Sequence, residues 1–264
     1  MRAVRFLYPE GKKRVLTMSY DDGKEADYRL VEIFDKYKIR GSFHLNSGNL
    51  GREGWVKAED VKGLYENHEV SCHTVTHPFL ERVNSGLVIS EVWEDRRNLE
   101  RLCGYPVTGM SYPMGTFSTD IIKQLAAMGI EYCRTTISTE KMNIPDDFLA
   151  WHPTCHHNNP KLMQLAEQFV DSKYSFAMLY VWGHSYEFNN NDNWEHIEEF
   201  CKKVSGRDEV WYATNIEIVR YIRAMRSLVF DVDKTMVYNP TSEKVWFTCD
   251  DQLLCVGAGE LLKF

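Results

Sequence analysis

Basic residues are in the minority in this 264-residue chain: lysine and arginine total 31 against 38 aspartates and glutamates, a formal net charge of −7. No long block of one sign occurs. Binders of nucleic acid or anionic membranes carry the opposite bias, so neither partner is expected. The chain has no CxxC pair, and its seven cysteines, Cys72, Cys103, Cys133, Cys155, Cys201, Cys249 and Cys255, form an odd set. That argues against a disulfide framework and for reduced thiols in a cytosolic protein. Long apolar runs are also missing. The longest, Phe176 to Trp182, is seven residues, far short of a bilayer span. Met1 to Glu10 alternates charge with short apolar pieces and lacks a signal-peptide core, so the expectation is a cytoplasmic chain without a membrane segment.

What is present suffices for a sizeable core, with 44% hydrophobic and 26% charged residues. Arg14 to Tyr20 reads as a buried strand, and Lys24 to Lys38, with Ala26, Leu30, Ile33, Phe34 and Tyr37 at helical spacing, as an amphipathic helix. The couplet returns as Gly41–Asn46 with Lys57–Glu66, His68–Cys72 with Gly86–Cys103, and Val107–Tyr112 with Ser118–Met128. It continues as Glu131–Thr135 with Pro160–Asp171, Phe176–Trp182 with Asp192–Ser205, and Glu209–Ala213 with Thr214–Met225. Capping boxes are expected at Asp192/Glu195 and Thr214/Glu217, and glycine stops at Gly104, Gly129 and Gly206. Such alternation predicts an α/β fold, a distorted (β/α) barrel or open sheet of about seven parallel strands. From Leu228 the pattern changes to short extended pieces with turns, so residues 1–226 are read as the main domain and 227–264 as a small β appendage packed on it. The appendage could hold substrate or pair two copies of the chain, and the sequence favours neither.

In parallel α/β folds functional side chains collect at the C-terminal ends of the strands. The first strand ends in Asp21-Asp22-Gly23, two carboxylates that require a compensating cation or protons unless one merely caps the next helix. The third ends in His73-Thr74-Val75-Thr76-His77, the fourth in Ser111-Tyr112-Pro113-Met114-Gly115, and the sixth in Trp182-Gly183-His184-Ser185-Tyr186-Glu187. Two histidines and a carboxylate suit a divalent metal with open positions, and His184 could be a third ligand, a general acid, or a histidine satisfied by Glu187.

Together these segments resemble the polysaccharide deacetylases of carbohydrate esterase family 4, the NodB-homology enzymes, over roughly Arg14 to Met225. The resemblance implies Asp22, His73 and His77 as ligands of one divalent ion, zinc first, with cobalt, nickel or manganese as alternatives. It also implies Asp21 as the base acting on a metal-bound water, His184 as the acid, and the backbone N–H of Met114 as oxyanion donor. Tyr112, Pro113, Trp151 and Trp182 become substrate contacts, Trp151 as a wall on which a sugar ring stacks. The family arginine that steadies the base aligns with Ser111, so another arginine, Arg134 being one candidate, would have to replace it. Asp147 and Glu187 both qualify as the partner of His184. His152, His156 and His157 could be a second metal site, substrate contacts or ordinary loop polarity. The expected activity is removal of N-acetyl or O-acetyl groups from a carbohydrate. The alternatives are hydrolysis of a linear or cyclic non-sugar amide and an inactive metal-containing carbohydrate-binding module.

Overall fold

The computed structural model describes residues 2–172 and 176–264. A short strand, β1 (Val4–Leu7), precedes the couplets. Then come β2 (Arg14–Asp22), α1 (Asp27–Lys36), β3 (Gly41–Leu45), α2 (Val61–Leu64), β4 (Glu69–Cys72) and α3 (Ser85–Cys103). They continue with β5 (Gly109–Ser111), α4 (Thr119–Ala127), β6 (Tyr132–Arg134), β7 (Cys155–His156), α5 (Leu162–Asp171), β8 (Ala177–Gly183) and α6 (Tyr186–Asn190). The last are α7 (Trp194–Val204), β9 (Val210–Tyr212) and α8 (Asn215–Arg226). The strands form one parallel sheet in the order β6-β5-β4-β3-β2-β8-β7, with β9 paired to the first part of β2. A bridge between Arg134 and Trp151 carries the chain just ahead of β7 back against β6, so the sheet curls into a distorted (β/α) barrel.

The expected couplets are present, with differences that have local causes. The helix anticipated over Lys57–Glu66 is a 3-10 turn plus the single α turn of α2, which contains Gly63, a weak helix former, and ends at Leu64. Thr214 and Glu217 close the capping box of α8, whereas α7 starts from Asn193 with no side-chain cap, so the Asp192 box does not form. Gly104, Gly129 and Gly206 all take positive φ, as helix stops require. β7 is unanticipated, since two residues carry no readable periodicity.

Alternation along the strands divides the molecule into an apolar outer layer and a polar lumen. Leu16, Met18 and Tyr20 of β2 pack outward with Leu30, Phe34 and Phe43 beneath the helices. Between them Thr17, Ser19 and Asp21 point inward. There Glu69 accepts from Ser42 Oγ (2.7 Å), Ser71 Oγ (2.8 Å), Tyr132 Oη (2.8 Å) and the backbone N–H of Ile216 (3.0 Å). Thr17 Oγ1 donates to Asn215 (2.7 Å), which donates to Tyr180 Oη (2.7 Å). Buried polar groups persist only when paired in this way.

The tail folds as β10 (Val229–Phe230), β11 (Met236–Tyr238), β12 (Val245–Cys249), β13 (Gln252–Val256) and β14 (Leu261–Lys263). They form two three-stranded sheets, β10-β11-β14 and β1-β12-β13, so Val4–Leu7, read from sequence with the main domain, pairs with the tail. Val237, Val245, Phe247 and Val256 share one apolar cluster with Ile218, Val219 and Ile222 of α8. Tyr221 on α8 ties the parts together, its hydroxyl donating to Leu7 O (2.5 Å) and accepting from Trp246 N (3.1 Å). Tyr221→Phe removes both bonds at about 1 kcal/mol each and is expected to lower the melting temperature by several degrees in one calorimetric transition. Two separated transitions would mean that the tail unfolds on its own.

Candidate active site

Strand ends bring the predicted residues together because the parallel register leaves Asp21, Asp22, His73, Ser111, Arg134 and His184 at one rim. Four non-glycine residues around that rim hold left-handed backbone: Asp22 (φ 82°), Thr74 (φ 68°), His77 (φ 61°) and Met114 (φ 58°). Such conformations cost about 1–3 kcal/mol each and persist where the surroundings over-determine them. Here α3 supplies much of that restraint. Asp95 accepts from His73 N (2.9 Å) and Ser47 N (2.8 Å), and Glu91 from Thr76 N (2.8 Å) and Thr76 Oγ1 (2.6 Å). Asn46 Nδ2 holds the carbonyls of His73 (2.6 Å) and Thr74 (3.0 Å).

Asp21 is 2% exposed. Its Oδ2 pairs with the guanidinium of Arg134, itself fully buried, and its Oδ1 accepts from Ser111 Oγ at 3.0 Å and lies 3.4 Å from His44 Nδ1. Burial pushes its carboxyl up, but Arg134, then His73, His44 and His184, together hold it well below the usual carboxylate range. Arg134 lies directly across from Ser111 in the β5–β6 register. The cation missing at position 111 therefore comes from the facing position of the neighbouring strand. Its guanidinium also stacks on Trp182, 4.3 Å from the ring centroid.

Asp22 faces outward from the same strand end. His73 Nε2 and His77 Nε2 lie 3.7 Å and 3.8 Å from its Oδ1, and one ligand atom from each of the three residues falls within 4.8 Å of the others. Burial and the charge of Asp21 raise the Asp22 carboxyl, while burial pushes His73 down to about 3 and keeps it neutral. His73 Nδ1 donates to Ser111 O (2.9 Å), an oxygen that can only accept, so its Nε2 carries the lone pair. The donor set, two imidazoles and one carboxylate with a fixed tautomer, fits a divalent cation with open coordination positions.

His184 follows β8 and is anchored by Glu187, whose Oε1 lies 2.7 Å from His184 Nδ1. Burial lowers the His184 pKa, yet that bond and the charges of Asp21 and Asp22 raise it above the ordinary imidazole value. Glu187 is thus the partner. Asp147 instead accepts from Leu149 N (2.8 Å) at the start of a 3-10 turn. The other Glu187 oxygen faces Asn158 Nδ2 (2.7 Å), His157 Nε2 (3.0 Å) and His156 Nε2 (3.4 Å).

Several expected substrate contacts are displaced. Trp151 is fully buried, edge-on to Tyr132 and Phe148, because the bridge to Arg134 draws it into the barrel wall; it presents no face to a sugar. Tyr112 is 1% exposed with its hydroxyl on Leu149 O (2.7 Å), and Pro113 is buried, so both shape the turn. Trp182 is 7% exposed and serves as the shelf for Arg134. Met114 alone of that turn is open, 48% exposed. His152 pairs with Thr135 Oγ1 (2.6 Å), apart from His156 and His157. Residues that sequence reasoning passed over are His44, Asn46, Glu91, Asp95 and Asn158. The signal for Glu91 and Asp95 was readable: both fall on the apolar stripe Val88, Val92, Leu99 of α3, where a carboxylate needs a partner.

The polysaccharide deacetylase family model matches residues 9–133. A chitin deacetylase of Arthroderma benhamiae is 28% identical over 129 residues, 47% of this chain, so the match spans about a third of that relative's length, 34%. Among solved structures, a Mycobacterium smegmatis protein assigned to the polysaccharide deacetylases superposes with a TM-score of 0.62 at 16% identity, over 86% of this chain and 96% of that one. Puue allantoinase superposes with a TM-score of 0.63 at 12% identity, over 81% and 91%. At these identities the likeness is one of fold. Residues 9–133 of this chain match the polysaccharide deacetylase family, and the barrel that they begin runs on through the strands that follow.

Proposed function

We propose that this chain is a metal-dependent hydrolase that removes N-acetyl groups, or by closely related chemistry O-acetyl groups, from a carbohydrate. The observation that carries the reading is the division of labour at one rim. Asp21, fixed by Arg134 and Ser111, stands beside a two-histidine, one-carboxylate set and is not part of it, and His184 is biased towards its charged form nearby. A structural cation site has no use for a second carboxylate held outside the ligand set and an imidazole oriented by its own carboxylate at its edge.

When bound, a divalent cation, zinc foremost, polarises the acetyl oxygen and lowers the pKa of water. Asp22, His73 and His77 would hold it. Arg134 keeps Asp21 ionised, so its carboxylate takes the proton of the attacking water. The turn at Met114 offers a backbone N–H to the developing oxyanion. His184, with Nδ1 held by Glu187, delivers a proton from Nε2 to the departing amine. The match to the polysaccharide deacetylase family over residues 9–133 favours an acetylated sugar as substrate. The competing reading, hydrolysis of a cyclic non-sugar amide, draws on the burial of Trp151 and Tyr112, which removes the expected stacking wall. Acetate release from N-acetylglucosamine oligomers, set against ring opening of a cyclic ureide, separates them.

Three variants test the assignment. Asp21→Asn should retain one zinc per chain by elemental analysis while turnover falls by about 10²–10⁴-fold, and His77→Ala should lose the metal; unchanged turnover in Asp21→Asn would remove the base from the mechanism. Arg134→Met leaves a buried carboxylate unpaired and should cost about 3–5 kcal/mol in urea unfolding. Most of that cost should vanish in a background of Asp21→Asn, and additive losses would show that the pair is not coupled.

A further inference from the structure

We infer that the end of β7 and the turn after it, His156 to Asn158, form a positioning clamp for the general acid, acting through Glu187, and are not a second metal site. The inference rests on the hydrolase reading above and concerns how its acid is held. His184 and Glu187 bracket the start of α6, a helix of five residues with little rigidity of its own. Orientation must come from elsewhere, and Oε2 of Glu187 supplies the connection, facing Asn158 Nδ2 (2.7 Å), His157 Nε2 (3.0 Å) and His156 Nε2 (3.4 Å) while Oε1 holds His184 (2.7 Å).

Proton positions distinguish this cluster from the Asp22 set. His156 Nδ1 accepts from Asn158 N (3.1 Å), so the ring proton of neutral His156 sits on Nε2 and points at Glu187. His73 has the reverse tautomer and turns a lone pair to its neighbours. His156 therefore turns a proton towards the Glu187 carboxylate, where His73 offers a lone pair suited to a cation. The clamp is also registered to the strand that delivers the acid. His156 pairs with Trp182, and His157 N donates to Trp182 O (2.8 Å). The His157 ring is stacked on Phe188, centroids 4.3 Å apart, and lies so close to Gly183 that a Cβ there would sit 2.0 Å from Nδ1. Glycine is required immediately before His184 because this ring fills the space.

Asn158→Ala tests the inference, since Asn158 is exposed and its truncation leaves the core intact. Zinc-loaded protein is assayed on the N-acetylglucosamine tetramer, whose amine leaves only with a proton, and on 4-nitrophenyl acetate, whose phenolate leaves without one. The expected result is a roughly 5–20-fold fall in kcat on the amide, with its KM, the ester rate and the melting temperature held within experimental spread. Equal losses on both substrates would reduce the turn to a structural role and overturn the inference. So would two zinc ions per chain in the wild type falling to one in His156→Ala. If the wild type releases no acetate from the tetramer, the hydrolase reading fails separately. The clamp is then judged from the low-field proton resonance of His184 Nδ1–H, which Asn158→Ala should shift if the clamp exists and leave in place if it does not.

Discussion

A carboxylate inside a barrel is tolerable only if its charge is met there, and Asp21 sets that demand for this molecule. Removing one partner from a buried ion pair typically costs about 3–5 kcal/mol. Arg134 and Asp21 therefore constrain each other: Arg134 must stand on β6 facing the lumen, and Trp182 must lie flat beneath its guanidinium. Ser111 completes the arrangement by serving two groups at once, its hydroxyl on Asp21 and its carbonyl on His73 Nδ1. One strand end thus fixes both the direction of the base and the tautomer of a ligand.

The same demand explains the polar column that runs down the lumen from Asp21. Below Asp21 lies His44, with Nδ1 against Ser19 Oγ, then Tyr132 with its hydroxyl on Glu69, then Ser42 and Asn215, bonded in sequence from His44 onward. An apolar filling would have left Asp21 at the end of a low-dielectric column. The column instead spreads hydrogen-bonding groups along the axis, while the apolar surface that stabilises the fold lies outside the sheet beneath the helices. Strain in the His73–His77 segment is then held by Asp95, Glu91 and Asn46, which bond its backbone.

Much of this was legible in the sequence, for reasons that differ by residue. The couplets could be read because both faces of each strand are covered and each helix carries an apolar stripe. Asp21, Asp22, His73, His77 and His184 stood out because charged groups at the ends of buried strands need an explanation. The replacement of an arginine at Ser111 by Arg134 was open in principle, but it needs the β5–β6 register, a tertiary fact, to become definite. Trp151 misled because an indole after an acidic loop suits a groove equally well; only the bridge to Arg134 puts it in the wall. β7 and its clamp went unread because two residues paired to a distant strand carry no period, and His156 to Asn158 looks like loop polarity until Glu187 is beside it.

Where a cation binds decides the roles of Asp21 and Asp22. The direct measurement is an anomalous difference map at the zinc edge from crystals grown with zinc. The prediction is one peak about 2.0–2.2 Å from an Asp22 oxygen, His73 Nε2 and His77 Nε2, with Asp21 still on Arg134 and Ser111. A peak among His156, His157 and Glu187, or an Asp21 carboxylate drawn off Arg134 to ligate the ion, would contradict it.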